Sequence, residues 1–243
     1  MSDSLASVAG MDIILVPGLW LDASSWNEVI PPLERAGHTL HALTMPGVGQ
    51  PASESSEIGI ADWVAAVVDE IDRMPGLVVL VGHSGGGNVV YGAADARPER
   101  VARIVFVDTF PPGDGGSIWE FPIVDGVVPF PGWDSFEEPE TADLDAATRS
   151  ASAARTRSVP ARVPTDELRL SDERRRRVPA TMLTGTVPEV EIRGIISAAP
   201  TWAAELAALE DLEIIELHSG HWPQFSKPEE LAARIVEAVG PHA

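Results

Sequence analysis

The sequence predicts an α/β protein with a doubly wound, mostly parallel sheet of about six strands. Short apolar runs alternate with amphipathic segments along most of the 243 residues, an alternation typical of a parallel sheet with helices on both faces. Nearly continuous apolar runs, such as Asp12 to Val16, indicate strands buried on both faces. With 44% hydrophobic residues the chain has enough apolar side chains for one large core. We therefore expect residues 11–243 to form a single domain.

The predicted strands and helices follow one another in strict alternation at the start and end of the chain. Six apolar runs predict the strands: Asp12 to Val16, Thr39 to Leu43, Leu77 to Val81, Ala102 to Val107, Ala180 to Leu183 and Leu212 to Leu217. Helical spacing of apolar residues predicts five helices: Trp26 to Ala36, Ile60 to Arg73, Gly85 to Ala96, Ile195 to Leu209 and Pro228 to Val239. Only three residues separate the third strand from the third helix.

The region from Phe110 to Val178 breaks this alternation. It is rich in proline, acidic residues and arginine, and it shows no convincing strand and only two or three short helical segments. A structureless loop of that length is uncommon inside a compact domain. We therefore expect a helical lid at about residues 111–178, inserted after the fourth strand.

Composition and charge restrict the location and the partners of the protein. No stretch approaches the roughly 20 apolar residues of a membrane span. Residues 1–10 lack the basic and apolar regions of a secretory signal, so we expect a disordered leader there and a cytoplasmic location. The net charge of −20 argues against nucleic acid and anionic membranes as partners. The absence of cysteine excludes disulfides, thiolate metal sites and cysteine nucleophiles.

The third strand leads into Gly82-His83-Ser84-Gly85-Gly86, a Gly-x-Ser-x-Gly sequence at a predicted strand-to-helix turn. Such a turn lifts the serine hydroxyl clear of the backbone, because the two outer glycines lack side chains that would collide. The helix that follows points unpaired N–H groups and a partial positive charge toward an oxyanion beside that hydroxyl. The pattern predicts Ser84 as a nucleophile; the alternative is an ordinary glycine-rich turn.

The chain resembles the α/β-hydrolase fold superfamily in four landmarks that stand in the expected order. They are Val16-Pro17-Gly18-Leu19-Trp20 after the first strand, Gly82-His83-Ser84-Gly85-Gly86 after the third, the inserted lid, and Ser219-Gly220-His221-Trp222-Pro223-Gln224-Phe225 after the last strand. The likeness extends from about Met11 to the C-terminus. It implies the α/β-hydrolase fold and the chemistry of a serine esterase, a carboxylic ester hydrolase.

The resemblance also implies a general base and an oxyanion hole. His221 stands where the family places its base, in the loop between the last strand and the final helix. The backbone N–H groups of Leu19 and Gly85 stand where the family places its two oxyanion donors. The positions of the other histidines favour structural or incidental roles; they are His38, His41, His83, His218 and His242.

The family pairs its serine and histidine with a carboxylate, which completes a catalytic triad, and this acid has more than one candidate here. Many relatives carry it after the strand before the last, but the loop from Leu183 to Glu191 has no aspartate at the expected spacing. Another branch of the family carries it after the preceding strand, where this chain has Asp108. The ends of neighbouring parallel strands lie about 4.8 Å apart, so either loop can reach the same histidine. We therefore predict Asp108, with Glu189 as the alternative and Glu191 as a third choice.

Aromatic residues indicate an apolar substrate pocket. Four tryptophans are the candidate pocket residues: Trp20, Trp119, Trp133 and Trp222. Four further apolar residues punctuate the predicted lid: Ile118, Phe121, Phe130 and Phe136. Together they indicate an apolar or aromatic substrate group, although such residues also anchor a lid that has few other core residues. The Arg174 to Arg177 run has two interpretations, an anion-binding site or a solvated helix end.

We expect a serine hydrolase that cleaves a small, largely apolar ester or lactone through an acyl-enzyme on Ser84. His221 would take the proton of Ser84, Asp108 would fix the imidazole tautomer, and water would release the acyl group. No metal or organic cofactor is implied, and the expected partners are a small-molecule substrate and a second copy of the chain in a homodimer. The alternative is a non-hydrolytic protein of this fold, such as a lyase, a cofactor-free peroxidase-like enzyme, an epimerase or a ligand-binding receptor.

Overall fold

The computed structural model describes residues 10–240 and has a main sheet of six strands and a smaller sheet of two. The strands are β1 (Asp12–Val16), β2 (Thr39–Ala42), β3 (Val78–His83), β4 (Val101–Val107), β5 (Val127–Val128), β6 (Val159–Pro160), β7 (Ala180–Thr184) and β8 (Leu212–Glu216). The main sheet has the order β2-β1-β3-β4-β7-β8, and every neighbouring pair in it is parallel. The predicted α/β class with a six-stranded parallel sheet is confirmed.

Helices follow most of the strands along the chain, and three of them have the predicted bounds. They are α1 (Ile30–Arg35), α2 (Ala52–Ser55), α3 (Ile60–Arg73), α4 (Gly85–Ala96), α5 (Glu138–Thr141), α6 (Ala146–Ala153), α7 (Glu189–Ala198), α8 (Ala204–Ala207), α9 (Pro223–Ser226) and α10 (Pro228–Val239). The exact matches to prediction are α3, α4 and α10. Within residues 10–240, no helix has both the length and the apolarity that crossing a bilayer requires.

Two predicted helices are wrong in their bounds, and proline is involved in both. The helix predicted from Trp26 to Ala36 is a short 3₁₀ turn followed by α1, which has proline in its first turn, where a missing N–H is tolerated. The helix predicted from Ile195 to Leu209 is divided between α7 and α8. Ala199 ends α7 in the left-handed region with φ of 42°, and Pro200 follows it.

Successive side chains of the strands build two apolar layers on opposite faces of the sheet. In β1, Ile14 and Val16 belong to one layer, which also holds buried residues of α3 and α4. Ile13 and Leu15 belong to the other layer, with buried residues of α1 and α10. This arrangement leaves the carboxyl ends of β1, β3, β4 and β8 at one edge of the sheet, where the loops that follow them meet.

The segment of residues 108–179, between β4 and β7, carries α5, α6 and the antiparallel pair β5–β6. That pair was absent from the sequence prediction, because a ladder of two residues has no recognisable period. Three residues of this segment belong to the apolar layer that contains α3 and α4: Val128, Val159 and Leu168. The helical-lid role and the single-domain division stay predictions, and residues 1–9 of the predicted leader lie outside the described residues.

Candidate active site

Ser84 lies in the tight turn between β3 and α4, with a φ of 51° in a region that residues other than glycine rarely adopt. Its N–H donates to the Val107 carbonyl of the neighbouring strand over 3.1 Å. The turn has no room for side chains at the outer glycines. A Cβ on Gly82 would lie 2.6 Å from the carbonyl oxygen of Gly86, and a Cβ on Gly86 would lie 2.6 Å from that of Val16. The close packing therefore explains both glycines of the motif.

The structure brings Ser84, His221 and Asp108 into one chain of hydrogen bonds. Nε2 of His221 lies 2.9 Å from Oγ of Ser84, and Nδ1 of His221 lies 2.6 Å from Oδ2 of Asp108. An ionised carboxylate only accepts hydrogen bonds, so Nδ1 carries the proton and Nε2 presents its lone pair to the serine hydroxyl. This is the arrangement in which the imidazole can accept the serine proton.

Asp108 is held in place by the loop that follows β7. Its Oδ1 accepts hydrogen bonds from the main-chain N–H groups of Gly185 at 2.8 Å and Thr186 at 2.9 Å, and its Oδ2 accepts one from the Thr186 hydroxyl at 2.9 Å. Burial raises the pKa of Asp108, but the hydrogen bond and charge of His221 and the two N–H groups outweigh it. The pKa of Asp108 therefore lies below its usual value, and the carboxylate stays ionised.

The other two candidate acids lie elsewhere. Glu189 begins α7, and its Oε1 accepts a hydrogen bond from Nε of Arg193 over 2.6 Å. Glu191 is exposed on the same helix. Asp108 is thus the one candidate acid that the structure places against His221.

The two predicted oxyanion donors border the serine. Leu19 and Gly85 line the same cavity as Ser84. Gly85 is the first residue of α4, so its N–H has no acceptor within the helix. A Cβ on Gly85 would lie 3.2 Å from Cγ of Leu19, which shows that the two loops touch. Trp20 follows with a φ of 65°, which turns the chain sharply after Leu19.

The cavity above Ser84 has a volume of about 530 Å³. Its apolar wall consists of Leu19, Ile118, Trp119, Phe121 and Phe136, and its polar residues include Asn88, Thr109, Ser135, Glu137 and Glu140. In the described part of the chain, no Lys or Arg side chain lines it. Among residues 10–240, no group of three or more His, Asp or Glu side chains is placed to hold a metal ion.

Of the four predicted pocket tryptophans, Trp119 alone lines this cavity. Trp20 is buried and packs edge to face against Phe121, with the ring centroids 4.8 Å apart. Trp133 and Trp222 are buried and pack against each other, with their ring centroids 4.9 Å apart. All three rings are buried and pack against Phe136, which itself lines the cavity. The assignment of Trp20, Trp133 and Trp222 to the pocket is therefore corrected to the anchoring alternative.

The Arg174 to Arg177 run contains a buried residue, Arg175, which is neither part of an anion-binding site at the cavity nor part of a solvated helix end. Arg175 is 3% exposed; its Nη1 lies 3.0 Å from Asp95 and its Nε 2.8 Å from Glu205. Tyr91 donates its hydroxyl to the same Glu205 over 2.6 Å. Arg175 thus ties the end of the inserted segment to α4 and α8, away from the cavity.

Several contacts to the site had no signal in the sequence. The N–H of His221 donates to the Glu140 carbonyl over 2.8 Å, and Thr186 holds the carboxylate of Asp108. His83, expected to be structural, contacts the main chain of His221, and Gln224 contacts His83. Main-chain contacts between residues far apart in sequence leave no pattern, and a short loop with two threonines is too common to single out Thr186.

Comparison with known proteins gives both a family match and structural neighbours. A model of the alpha/beta hydrolase family matches residues 13–234. An extracellular alpha/beta-hydrolase from a Paenibacillus species superposes with a TM-score of 0.74 at 22% identity, covering 94% of this chain and 98% of that one. At this identity the likeness shows the fold alone.

Two curated relatives are similar over part of their length. A carbendazim hydrolyzing esterase from Nocardioides sp. (strain SG-4G) is 34% identical over 113 residues, 44% of this chain and 45% of the relative. Esterase PIR7B from Oryza sativa subsp. japonica is 36% identical over 111 residues, 42% of this chain and 40% of the relative. The matched stretches thus span less than half of the length of either relative.

Proposed function

The chain belongs to the alpha/beta hydrolase family, and we propose that it is a serine hydrolase that cleaves a carboxylic ester through an acyl-enzyme on Ser84. Family membership confirms the resemblance inferred from the sequence motifs. The observation that carries the proposal is the chain of hydrogen bonds from Ser84 through His221 to Asp108. The similarity to two proteins named esterases supports the same activity.

In the first step, Oγ of Ser84 attacks the ester carbonyl carbon while Nε2 of His221 takes the hydroxyl proton. Asp108 keeps the proton on Nδ1 and stabilises the imidazolium that forms. His221 then gives its Nε2 proton to the departing alcohol oxygen, leaving an ester of Ser84. In the second step a water molecule attacks that ester, His221 removes the water proton, and the carboxylic acid leaves as Ser84 regains its proton.

The negative charge on the carbonyl oxygen would be stabilised by the N–H groups of Leu19 and Gly85. Both border the cavity beside Ser84, and the amino end of α4 adds its partial positive charge. Removal of one such donor in other enzymes costs about 3–4 kcal/mol of transition-state stabilisation. Backbone donors suit this role because they need no reorganisation during the reaction.

The cavity supports a small, largely apolar and uncharged ester or lactone as the substrate. Its volume of about 530 Å³ lies within the range of small-molecule sites, and its wall carries Ile118, Trp119, Phe121 and Phe136. Two carboxylates, of Glu137 and Glu140, line the cavity, and no Lys or Arg side chain does. An anionic substrate would meet these two carboxylates without a Lys or Arg partner in the described part of the chain.

Covalent labelling by a fluorophosphonate, located by mass spectrometry, tests the nucleophile. We expect one adduct on Ser84, no adduct in Ser84→Ala, and turnover of short-chain esters or lactones by the wild-type protein alone. A folded wild-type protein that takes no label would refute the proposal. Labelling of Ser84 without turnover of any ester or lactone would instead favour the non-hydrolytic alternative.

A further inference from the structure

His83 precedes Ser84 in the turn, and its side chain reaches the loop that carries His221. The ring is 1% exposed, and its centroid lies 5.0 Å from that of His221. Its Nε2 lies 2.7 Å from the main-chain oxygen of His221. Its Nδ1 lies 3.2 Å from Nε2 of Gln224, which is also 1% exposed. A fully buried imidazole thus connects the nucleophile turn with the loop of the base.

The chemistry of these contacts allows a single arrangement of protons. A main-chain carbonyl can only accept, so Nε2 of His83 must carry the hydrogen. In a neutral ring Nδ1 is then an acceptor, and the amide nitrogen of Gln224 must be the group that faces it. The same orientation leaves Oε1 of Gln224 buried without a hydrogen-bond partner in the described part of the chain. Such an unpaired acceptor is costly, but the reverse orientation of the amide would set two acceptors, Oε1 of Gln224 and Nδ1 of His83, against each other.

His83 keeps this arrangement over a wide range of pH. Burial, together with the neighbouring His221, lowers the pKa of His83 to about 3. The ring therefore stays neutral wherever a serine hydrolase works, and Nε2–H stays a donor to the carbonyl of His221.

The ring also lies under the loop of the oxyanion donors. A Cβ on Gly18 would lie 2.7 Å from Nδ1 of His83 and 3.0 Å from Cβ of Ser84. His221 has one other main-chain restraint, its N–H bond to Glu140 of the inserted segment. In the described part of the chain, the bond from His83 thus ties the main chain of His221 to the nucleophile turn, in addition to the side-chain bonds of His221 to Ser84 and Asp108.

We propose that His83, supported by Gln224, is a positioning residue that holds the His221 main chain at the distance its imidazole needs from Ser84. The inference rests on the proposed serine hydrolase function. His83 does not touch the substrate or exchange a proton; it acts through His221. Misplacement of a reacting group by about 1 Å costs about 100-fold in rate, so loss of this bond is expected to appear in kcat rather than in KM.

A complementary pair of variants separates positioning from packing. The Nε2 of a glutamine reaches the place of histidine Nε2, so His83→Gln keeps the donor to His221 and loses the acceptor for Gln224. His83→Asn keeps an acceptor near the place of Nδ1 and loses the donor to His221. Each variant leaves one former partner of His83 and one atom of its own amide unpaired, so the two are matched in expected stability. His38→Leu, a buried histidine bonded to the N–H of Met11, is the control away from the site.

We expect His83→Gln to retain kcat within about threefold of the wild type and His83→Asn to lose roughly 10- to 100-fold. KM should change less than about threefold in both, and the fluorophosphonate labelling rate of Ser84 should follow kcat. Equal kcat in the two folded variants, whether both are active or both impaired, would overturn the proposal. So would a kcat loss in His38→Leu as large as that in His83→Asn.

A readout independent of turnover keeps this inference distinct from the proposed function. The 2.6 Å contact between Nδ1 of His221 and Asp108 should give a low-field proton resonance in NMR spectra. We expect that resonance to persist in His83→Gln and to shift or broaden in His83→Asn. An unchanged resonance in both variants would overturn the positioning role even if ester hydrolysis is established. A wild-type protein that neither labels nor hydrolyses esters would refute the proposed function, and the resonance would then decide the positioning of His221.

Discussion

Replacement of Asp108 by asparagine should reverse the tautomer of His221. The main-chain N–H groups of Gly185 and Thr186 both donate to Oδ1, so the amide oxygen of the new side chain will face them. Its NH₂ group then takes the place of Oδ2 and points at Nδ1 of His221. A donor at that position forces the proton onto Nε2, which can no longer accept the proton of Ser84.

The size of the effect follows from the cost of turning the amide over. The correct tautomer returns only if the NH₂ group faces the two N–H donors, which would leave both of these partly buried groups without their acceptor. Each unpaired group costs about 1–3 kcal/mol, so the reactive state lies about 2–6 kcal/mol above the ground state. At about 1.4 kcal/mol per factor of ten, kcat should fall between about 30-fold and about 10⁴-fold.

Steady-state hydrolysis of a short-chain ester measures this loss, with the amount of folded protein checked by circular dichroism. KM should change little, because Asp108 does not line the cavity. Glu189→Gln is the matched control, since the Glu189 carboxylate pairs with Arg193 and its loss should leave kcat within about twofold. A kcat for Asp108→Asn within about tenfold of the wild type would refute the tautomer argument, and a kcat collapse in Glu189→Gln would move the acid to Glu189.

Four further outcomes are expected. Ser84→Gly should be more stable to urea than Ser84→Ala by roughly 1 kcal/mol, because only glycine relieves the φ of 51° at that position. Arg175→Met should lower the free energy of unfolding by about 3 kcal/mol in urea titrations, since it removes the only guanidinium beside the buried Asp95 in the described part of the chain, whereas Glu205 keeps Arg176 and the Tyr91 hydroxyl. The pKa of His83 is about 3 against an ordinary 6.5, so below pH 6.5 the unfolded chain takes up a proton that the folded chain excludes. The free energy of unfolding therefore decreases as the pH is lowered. Relative to His83→Gln, the wild type should lose about 2 kcal/mol between about pH 7.5 and about pH 5, measured by urea unfolding. Finally, an ester that bears a carboxylate should show a kcat/KM at least about tenfold below that of its neutral isostere, because the cavity is lined by two glutamates and by no Lys or Arg side chain.

The sheet and the nucleophile turn were predictable because their causes are local in sequence. A run such as Val78 to Val81 is apolar throughout, since β3 is buried on both faces, and a helix-forming segment follows it at once. Gly82 and Gly86 are required by backbone atoms of the same turn and of β1. The six strands accordingly lie within two residues of their predicted bounds at either end.

The surroundings of the site depend on tertiary packing, which a sequence pattern does not report. The aromatic residues near the cavity were recognisable as a group, yet whether each ring faces the cavity or the core depends on the fold of the inserted segment. Trp119 is 69% exposed at the cavity, whereas Trp222 is 3% exposed beside His221. The burial of Arg175 could not be predicted either, because its buried partners come from two helices remote in sequence.

Backbone strain is concentrated at the site in a way that explains how its geometry is maintained. Among residues 10–240, five residues other than glycine have positive φ, and three of them, Trp20, Ser84 and Asp108, follow β1, β3 and β4 at the same edge of the sheet. Such conformations cost about 1–3 kcal/mol each and persist only where the surroundings enforce them. The adjoining strands supply that enforcement: Ser84 donates to Val107 of β4, and Asp108 donates to Leu183 of β7. The parallel sheet thus holds the serine and the aspartate in turns that neither would adopt alone, and the loss of either interstrand bond should disturb the site before it disturbs the fold.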